Sequence, residues 1–245
     1  MTTVEMNNEF DIHYNAIASQ SAPGLDLYEK SVYLTKAQEE IVKNHYTAEG
    51  NKYKEGFENS EKRRVDLKEL VKTYNSTTSI ISSNGLSNDS KFFTIPDDVF
   101  LMVYETATLD TGDCSNGIQT EVVPKTHDEY NIQYGNPFKK PDKSTIWRLN
   151  ISKFGDDNVV ELICPFKILN YKIRYIKYPN PIILTDLNIA FPSEGLSINS
   201  ITALTECELD QSIHKEILDR AVEIALRDYK PSNLESKVQL DLRNE

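Results

Sequence analysis

The residues able to carry chemistry are few and dispersed. His13, His45, His127 and His214 are the only histidines, and none has a second His or Cys at metal-ligand spacing. Cys114, Cys164 and Cys207 are odd in number and far apart, so neither a disulfide framework nor a zinc site is expected. Carboxylate pairs occur at Asp97-Asp98, Asp128-Glu129 and Asp156-Asp157. Each stands in a turn-like context where Asp is favoured by local hydrogen bonding, and neighbours on a strand point to opposite faces, which spoils a shared acid-base site. The acidic turn Asp110 to Asp113 is the remaining place for a hard cation such as calcium or magnesium. No H-E-x-x-H, G-x-S-x-G, P-loop or G-x-G-x-x-G occurs, and only 9 glycines are available for a phosphate-cradling loop. These patterns predict a protein that is not an enzyme and needs no cofactor.

The elements that would position these groups divide the chain by pattern. Residues 1–76 read as helical. Phe10, Tyr14 and Ile17 recur at helical spacing in Glu9 to Ser19, and Ala22-Pro23-Gly24 breaks the segment. Thr35-x-x-Gln38 has the form of a capping box, which predicts a helix start there with Ala37, Ile41 and His45 on one face. Ser60 is placed to cap a third helix, Glu61 to Tyr74, around a basic triplet Lys62-Arg63-Arg64. That triplet reads as a solvated face, or else as a partner for acidic groups on a neighbouring chain.

Residues 77–206 read as β-rich with long loops. Lys91 to Ile95 and Val99 to Leu109 are predicted strands broken by Pro96-Asp97-Asp98. Trp147, Leu149 and Ile151 alternate with polar residues, Val159 to Ile163 is a second run, and Leu169, Tyr171, Ile173 and Tyr175 alternate again until Pro179 and Pro181. Gly155-Asp156-Asp157-Asn158 is a hairpin turn. An antiparallel sheet with one wet face follows, and the stretches Asp110 to Gly117 and Pro124 to Ser144 read as loops long enough to serve binding or assembly.

Residues 207–230 contain a helix from Gln211 to Asp228, capped by Asp210. Its apolar residues cover an arc of roughly 200°, wider than the ~100° stripe one core contact needs. The helix is therefore covered from two sides, either by this chain alone or by this chain and another subunit. Ile217, Ala221, Ile224 and Ala225 are the candidate subunit-interface positions on it. Residues 231–245 form a polar tail in which sparse Leu234, Val238 and Leu240 are further interface candidates, since such a tail buries little on its own chain. The fold class predicted is α+β: N-terminal helices and a long C-terminal helix packed with an antiparallel β-sheet region.

Composition sets the outer bounds. Of 245 residues, 27 are Lys or Arg and 38 Asp or Glu, a net charge of −11 that argues against gripping a nucleic-acid backbone. Hydrophobic residues make up 39%, below the roughly 45–50% of an ordinary domain. No apolar run approaches the roughly 20 residues that span a bilayer, and Met1 to Asn8 lacks the form of a secretory signal. A reducing cytoplasm is the expected site of synthesis.

Three segments carry a resemblance. The tyrosine strand and prolines of Tyr171-Lys172-Ile173-Arg174-Tyr175-Ile176-Lys177-Tyr178-Pro179-Asn180-Pro181-Ile182-Ile183-Leu184 and the helix of Glu208-Leu209-Asp210 to Ala225 resemble head-to-tail connector (adaptor or ring) proteins of tailed phages, and Asn136-Pro137-Phe138-Lys139-Lys140-Pro141 leading to Trp147-Arg148-Leu149 resembles the structural proteins of crAss-like phages. The resemblance implies a structural virion protein in the neck or tail. It would form a homo-oligomeric ring of twelve copies between portal and tail, assembled in the host cytoplasm and contacting the portal and other neck or tail proteins. DNA would pass its channel without specific binding, as an acidic or neutral lumen would favour. A reading from another class stays open: a soluble carbohydrate- or protein-binding module using Trp147 and the tyrosine-rich sheet of Tyr171, Tyr175 and Tyr178.

Overall fold

The computed structural model describes residues 1–17, 24–48, 56–77, 79–80, 85–112, 117–154 and 157–229. In chain order the elements begin with α1 (Thr3–Ile17), α2 (Leu27–Tyr46), α3 (Glu61–Asp66) and a single 3-10 turn, Lys68–Leu70. Strands β1 (Val71–Ser76), β2 (Ser79–Ile80), β3 (Ser90–Ile95), β4 (Val99–Asp110) and β5 (Ile118–Pro124) follow, then α4 (His127–Tyr134). Strands β6 (Thr145–Phe154), β7 (Asp157–Ile163) and β8 (Lys167–Lys177) complete the sheet, and α5 (Leu187–Ala190), a 3-10 turn (Gln211–Ile213) and α6 (His214–Tyr229) end the described chain. The class is α+β. The chain forms two compact units, Met1–Leu70 with Pro179–Glu245, and Val71–Tyr178.

In the helical unit α6 packs on α2 and α1. Phe10 and Tyr14 of α1 are buried, as their spacing predicts, and Met6 joins them because α1 begins at Thr3 rather than near Glu9; the side chain of Ile17 lies outside the described residues. The start of α2 differs more. Asp26 and Glu29 form the capping box, and α2 begins at Leu27, eight residues before Thr35. Thr35 and Gln38 are interior to the helix, and their side chains do another job. The amide of Leu184 donates to Ser31 Oγ (3.1 Å), that of Ile182 to Thr35 Oγ1 (3.1 Å), and Gln38 Nε2 donates to the Asn180 carbonyl (2.8 Å). Four residues of helix rise about 6 Å and two residues of extended chain about 6.6 Å, so polar positions three and four apart on α2 reach alternate residues of the Asn180–Leu184 segment. Ile183, between Ile182 and Leu184, pairs with Thr205 through an antiparallel bridge, so the buried part of the segment is satisfied from two sides.

The third helix is also shorter than predicted. Ser60 stands at its N-cap without a side-chain hydrogen bond, and the helix stops at Asp66. Val71 to Tyr74, expected to continue it, form β1 and pair with β8, because β-favouring residues find a partner there. Asp210 caps the turn before α6, accepting from the Ser212 amide (3.1 Å) and pairing with Lys68 (2.7 Å), which draws its pKa to about 2.

In the sheet unit the strand order is β1-β8-β4-β5-β6-β7-β3-β2. Pairing is antiparallel with one exception, β5 beside β6, whose crossover carries α4. Pro124 to Ser144 is thus no plain loop: Thr126 and Glu129 form a capping box that starts a helix where a polar connector was expected. A core of Phe93, Ile95, Leu109, Val122, Ile146, Leu162, Tyr171, Ile173 and Tyr175 fills one side of the sheet. The wet face expected on the other side fails at β6. Tyr130 of α4 covers Trp147, Leu149 and Ile163, so Ile146 and Trp147 are both buried although they point to opposite faces. The hairpin residues Gly155 and Asp156 lie outside the described residues.

Two polar groups knit the sheet. Glu105 is buried and accepts from Tyr171 Oη (2.6 Å) and Arg148 Nε (2.9 Å). Burial pushes its carboxyl pKa up against the pull of Arg148, and burial likewise holds the Tyr171 phenol protonated. Asp98 accepts from Tyr175 Oη (2.8 Å) and Lys72 Nζ (2.8 Å).

Candidate functional site: assembly surfaces

The four interface candidates on α6 are not at the surface of the folded chain. Ile217, Ala221, Ile224 and Ala225 are each at most 5% exposed, and α6 lies against α1 and α2 of its own chain. Both sides of the wide apolar arc are covered internally, so these side chains are core. The polar edge of α6 is what faces outward, with Lys215, Glu216, Asp219 and Glu223 exposed. Leu234, Val238 and Leu240 lie outside the described residues.

Beside that edge, α2 and α6 form a recess of about 270 Å³ lined by Glu40, Ile41, Asn44, His45, Glu216 and Arg220. Arg220 bridges Glu40 (Nε to Oε2, 2.9 Å) and Glu223 (2.8 Å). Lys62 stands 3.3 Å from Glu216, a solvent-exposed pair. The basic triplet therefore divides: Lys62 and Arg64 pair at the surface, but Arg63 is buried and its Nη1 donates to the Asn44 carbonyl (3.0 Å). His45 is partly buried, as its position suggests, with Nδ1 3.7 Å from Asp66 Oδ2 and Nε2 3.8 Å from Glu216 Oε2. Burial and Arg63 lower its pKa, while Asp66 and Glu216 oppose them. Among the described residues Asp66 Oδ2 and His45 Nδ1 have no hydrogen-bond partner, and Asp66 Oδ1 accepts from Ser212 (2.9 Å).

The other sequence candidates do not converge. Trp147, Tyr171 and Tyr175 are each at most 3% exposed and packed inside the sheet unit, whereas Tyr178 is 38% exposed with its ring edge-on to Phe100 at 4.7 Å, so the aromatics named for a binding platform do not share one open face. Burial pushes the Cys207 thiol up to about 11 and raises Cys164, leaving neither a ready thiolate. Cys114 and Asp113 lie outside the described residues, and Asp110 Oδ1 accepts from the Gly112 amide (3.1 Å). Among the described residues no group of three or more His, Cys, Asp or Glu is placed to hold a metal ion.

One feature escapes the periodicity of the sequence. The tip after α4 carries Phe138 at 97% exposure, between Pro137 and Lys139-Lys140. It is a built turn: the Phe138 amide donates to Asn136 Oδ1 (3.0 Å), the Lys139 amide to the Asn136 carbonyl (3.1 Å), and Pro141 is buried. A bulky apolar residue bracketed by prolines in a polar connector is the signal that points to it.

Charge is also unequally shared. Val71–Tyr178 holds 12 Lys and Arg against 13 Asp and Glu, a net of −1. The rest of the chain holds 15 against 25, a net of −10.

Among the described residues the buried polar groups are spent on packing, and Phe138, Ile132 and Ile189 are the large apolar side chains left most exposed. The chain matches the family model of the phage tail ring protein 3/4 over residues 1–236, and it belongs to that family. Ring protein 4/5 of Bacteroides phage crAss001 is 39% identical over 249 aligned positions covering 100% of both chains. Ring protein 3 of the same phage is 38% identical over 228 positions, 92% of this chain and 95% of its own. The protein is thus a tail-associated ring protein of a crAss-like phage, a structural component of the virion whose relatives are ring proteins rather than enzymes. Among the described residues no helix is long and apolar enough to cross a membrane.

Proposed function

We propose that this chain forms a homo-oligomeric ring of twelve copies in the phage neck, between portal and tail, through which DNA passes without specific binding. The observation that carries this reading is the family match over nearly the whole chain. A net charge of −11 supports it, because a duplex threading an acidic or neutral channel is not held by its phosphates. A ring closes through heterologous contacts, in which one surface meets a different surface on the next copy. In this reading residues 231–245 serve as an arm over that neighbour, with the sparse apolar Leu234, Val238 and Leu240 as its contacts. Assembly takes place in the host cytoplasm, with the portal and other neck or tail proteins as partners.

Native mass spectrometry of the purified chain and electron microscopy of labelled virions test this reading. A closed ring of twelve located at the neck is expected. A lone monomer in both preparations would overturn it.

A further inference from the structure

We propose that the Asn136–Pro141 tip of one copy is the docking knob of the ring, and that the α2–α6 recess of the adjacent copy receives it. Phe138 enters beside Ile41 and His45, and Lys139 faces Glu216. The inference rests on the ring reading above and names its contact.

Three observations support it. Phe138 is almost wholly exposed on a turn fixed by Asn136, Pro137 and buried Pro141, so little conformational freedom is lost when it is covered. Aromatic side chains, Phe among them, are enriched in the cores of interfaces. At about 270 Å³ the recess has room for a phenyl ring, has the apolar Ile41 in its wall, and is rimmed by Glu40, Glu216 and Arg220 within the part of the chain that carries −10. The tip itself holds two lysines and no carboxylate. Lys140 is stacked over the Tyr134 ring at 4.9 Å, which leaves Lys139 to meet the acidic rim. The Lys62–Glu216 pair is solvent-exposed, and pairs of that kind are worth little, so Glu216 can exchange partners on docking. Knob and recess are different surfaces of one chain, as a closing heterologous contact requires.

The test begins with wild-type chain forming rings by native mass spectrometry. Phe138→Ser is expected to weaken subunit association by about tenfold or more while leaving the melting temperature unchanged. Lys139→Glu and Glu216→Lys should each weaken association, and the two together should recover part of the loss, a coupling that appears only between residues in contact. A photoreactive aromatic in place of Phe138 should cross-link to the α2 or α6 peptide of a second, isotopically distinct copy. Wild-type association of Phe138→Ser, additive charge variants, or cross-links in virions to a different protein would each overturn the contact while leaving the ring itself standing. A wild-type chain that stays monomeric would overturn the ring reading and this contact together.

Discussion

Glu105 accepts from Arg148 and Tyr171 in a site where it is 6% exposed, so each partner is needed once the carboxylate is buried. Arg148→Met leaves that charge unpaired and is expected to cost about 3–5 kcal/mol of folding stability, read from urea unfolding. Tyr171→Phe removes one donor and keeps the ring, at about 1–3 kcal/mol. Equal stability of both variants to wild type would show that the group contributes nothing net. The alternation puts Tyr171, Ile173 and Tyr175 on the covered face, but it fails at Leu169, which is 37% exposed: the pairing with β4 shifts register between Asn170 and Ile168, and Ile168 is buried instead. The hydroxyl partners of Tyr171 and Tyr175, Glu105 and Asp98, come from β4 and the turn before it, 66 and 77 residues away, which no local pattern reveals. The same distance effect hides Arg63, a buried donor inside a triplet that reads as solvated.

Helix α6 shows how far amphipathic pattern reaches and where it stops. The width of its apolar arc is legible, and so is burial from two sides; which chain supplies the second side is a tertiary fact, and α1 and α2 supply it. Ala221 is fully buried between them, so Ala221→Leu should overpack the site and cost about 1–3 kcal/mol in the folding of the chain itself. Were Ala221 at a subunit contact, the same change would alter association and spare the melting temperature of the monomer. Helix α2 gives the opposite lesson: Thr35-x-x-Gln38 has the right letters for a cap, but the same motif at Asp26-x-x-Glu29 starts the helix earlier, freeing Thr35 and Gln38 to hold Asn180–Leu184. Two histidines link these helices to pH. Burial lowers the pKa of both His45 and His214, and His214 donates through Nε2 to the Leu209 carbonyl (2.9 Å). The unfolded chain therefore binds protons that the folded chain refuses. Stability should be full above the ordinary histidine value of about 6.5 and decline as pH falls below it. Melting scans from pH 8 to pH 5 should show this decline, shallower in His214→Gln; a rise on acidification would contradict the assignment of neutral, buried rings.

For the whole molecule, the sum of charges was legible and its distribution was not, because the boundary at Leu70 and Pro179 follows from contacts rather than composition. The tail belongs to this scale too: deleting residues 232–245 should weaken ring association without lowering the melting temperature of the subunit. Unchanged rings after that deletion, seen by native mass spectrometry, would remove the tail from the interface. The continuous stretch Val71–Tyr178 also interrupts a helical unit whose two halves are Met1–Leu70 and Pro179–Glu245. On the ribosome this has a temporal consequence. The sheet unit has all its strands once Lys177 emerges, whereas the apolar faces of α1 and α2 must wait for α6, made last, before they are covered. A phage making many copies at once thus holds a population of nascent chains with sticky N-terminal helices. Synthesis speed through the last third of the message, and host chaperones that shield those helices, become determinants of how many chains reach the virion.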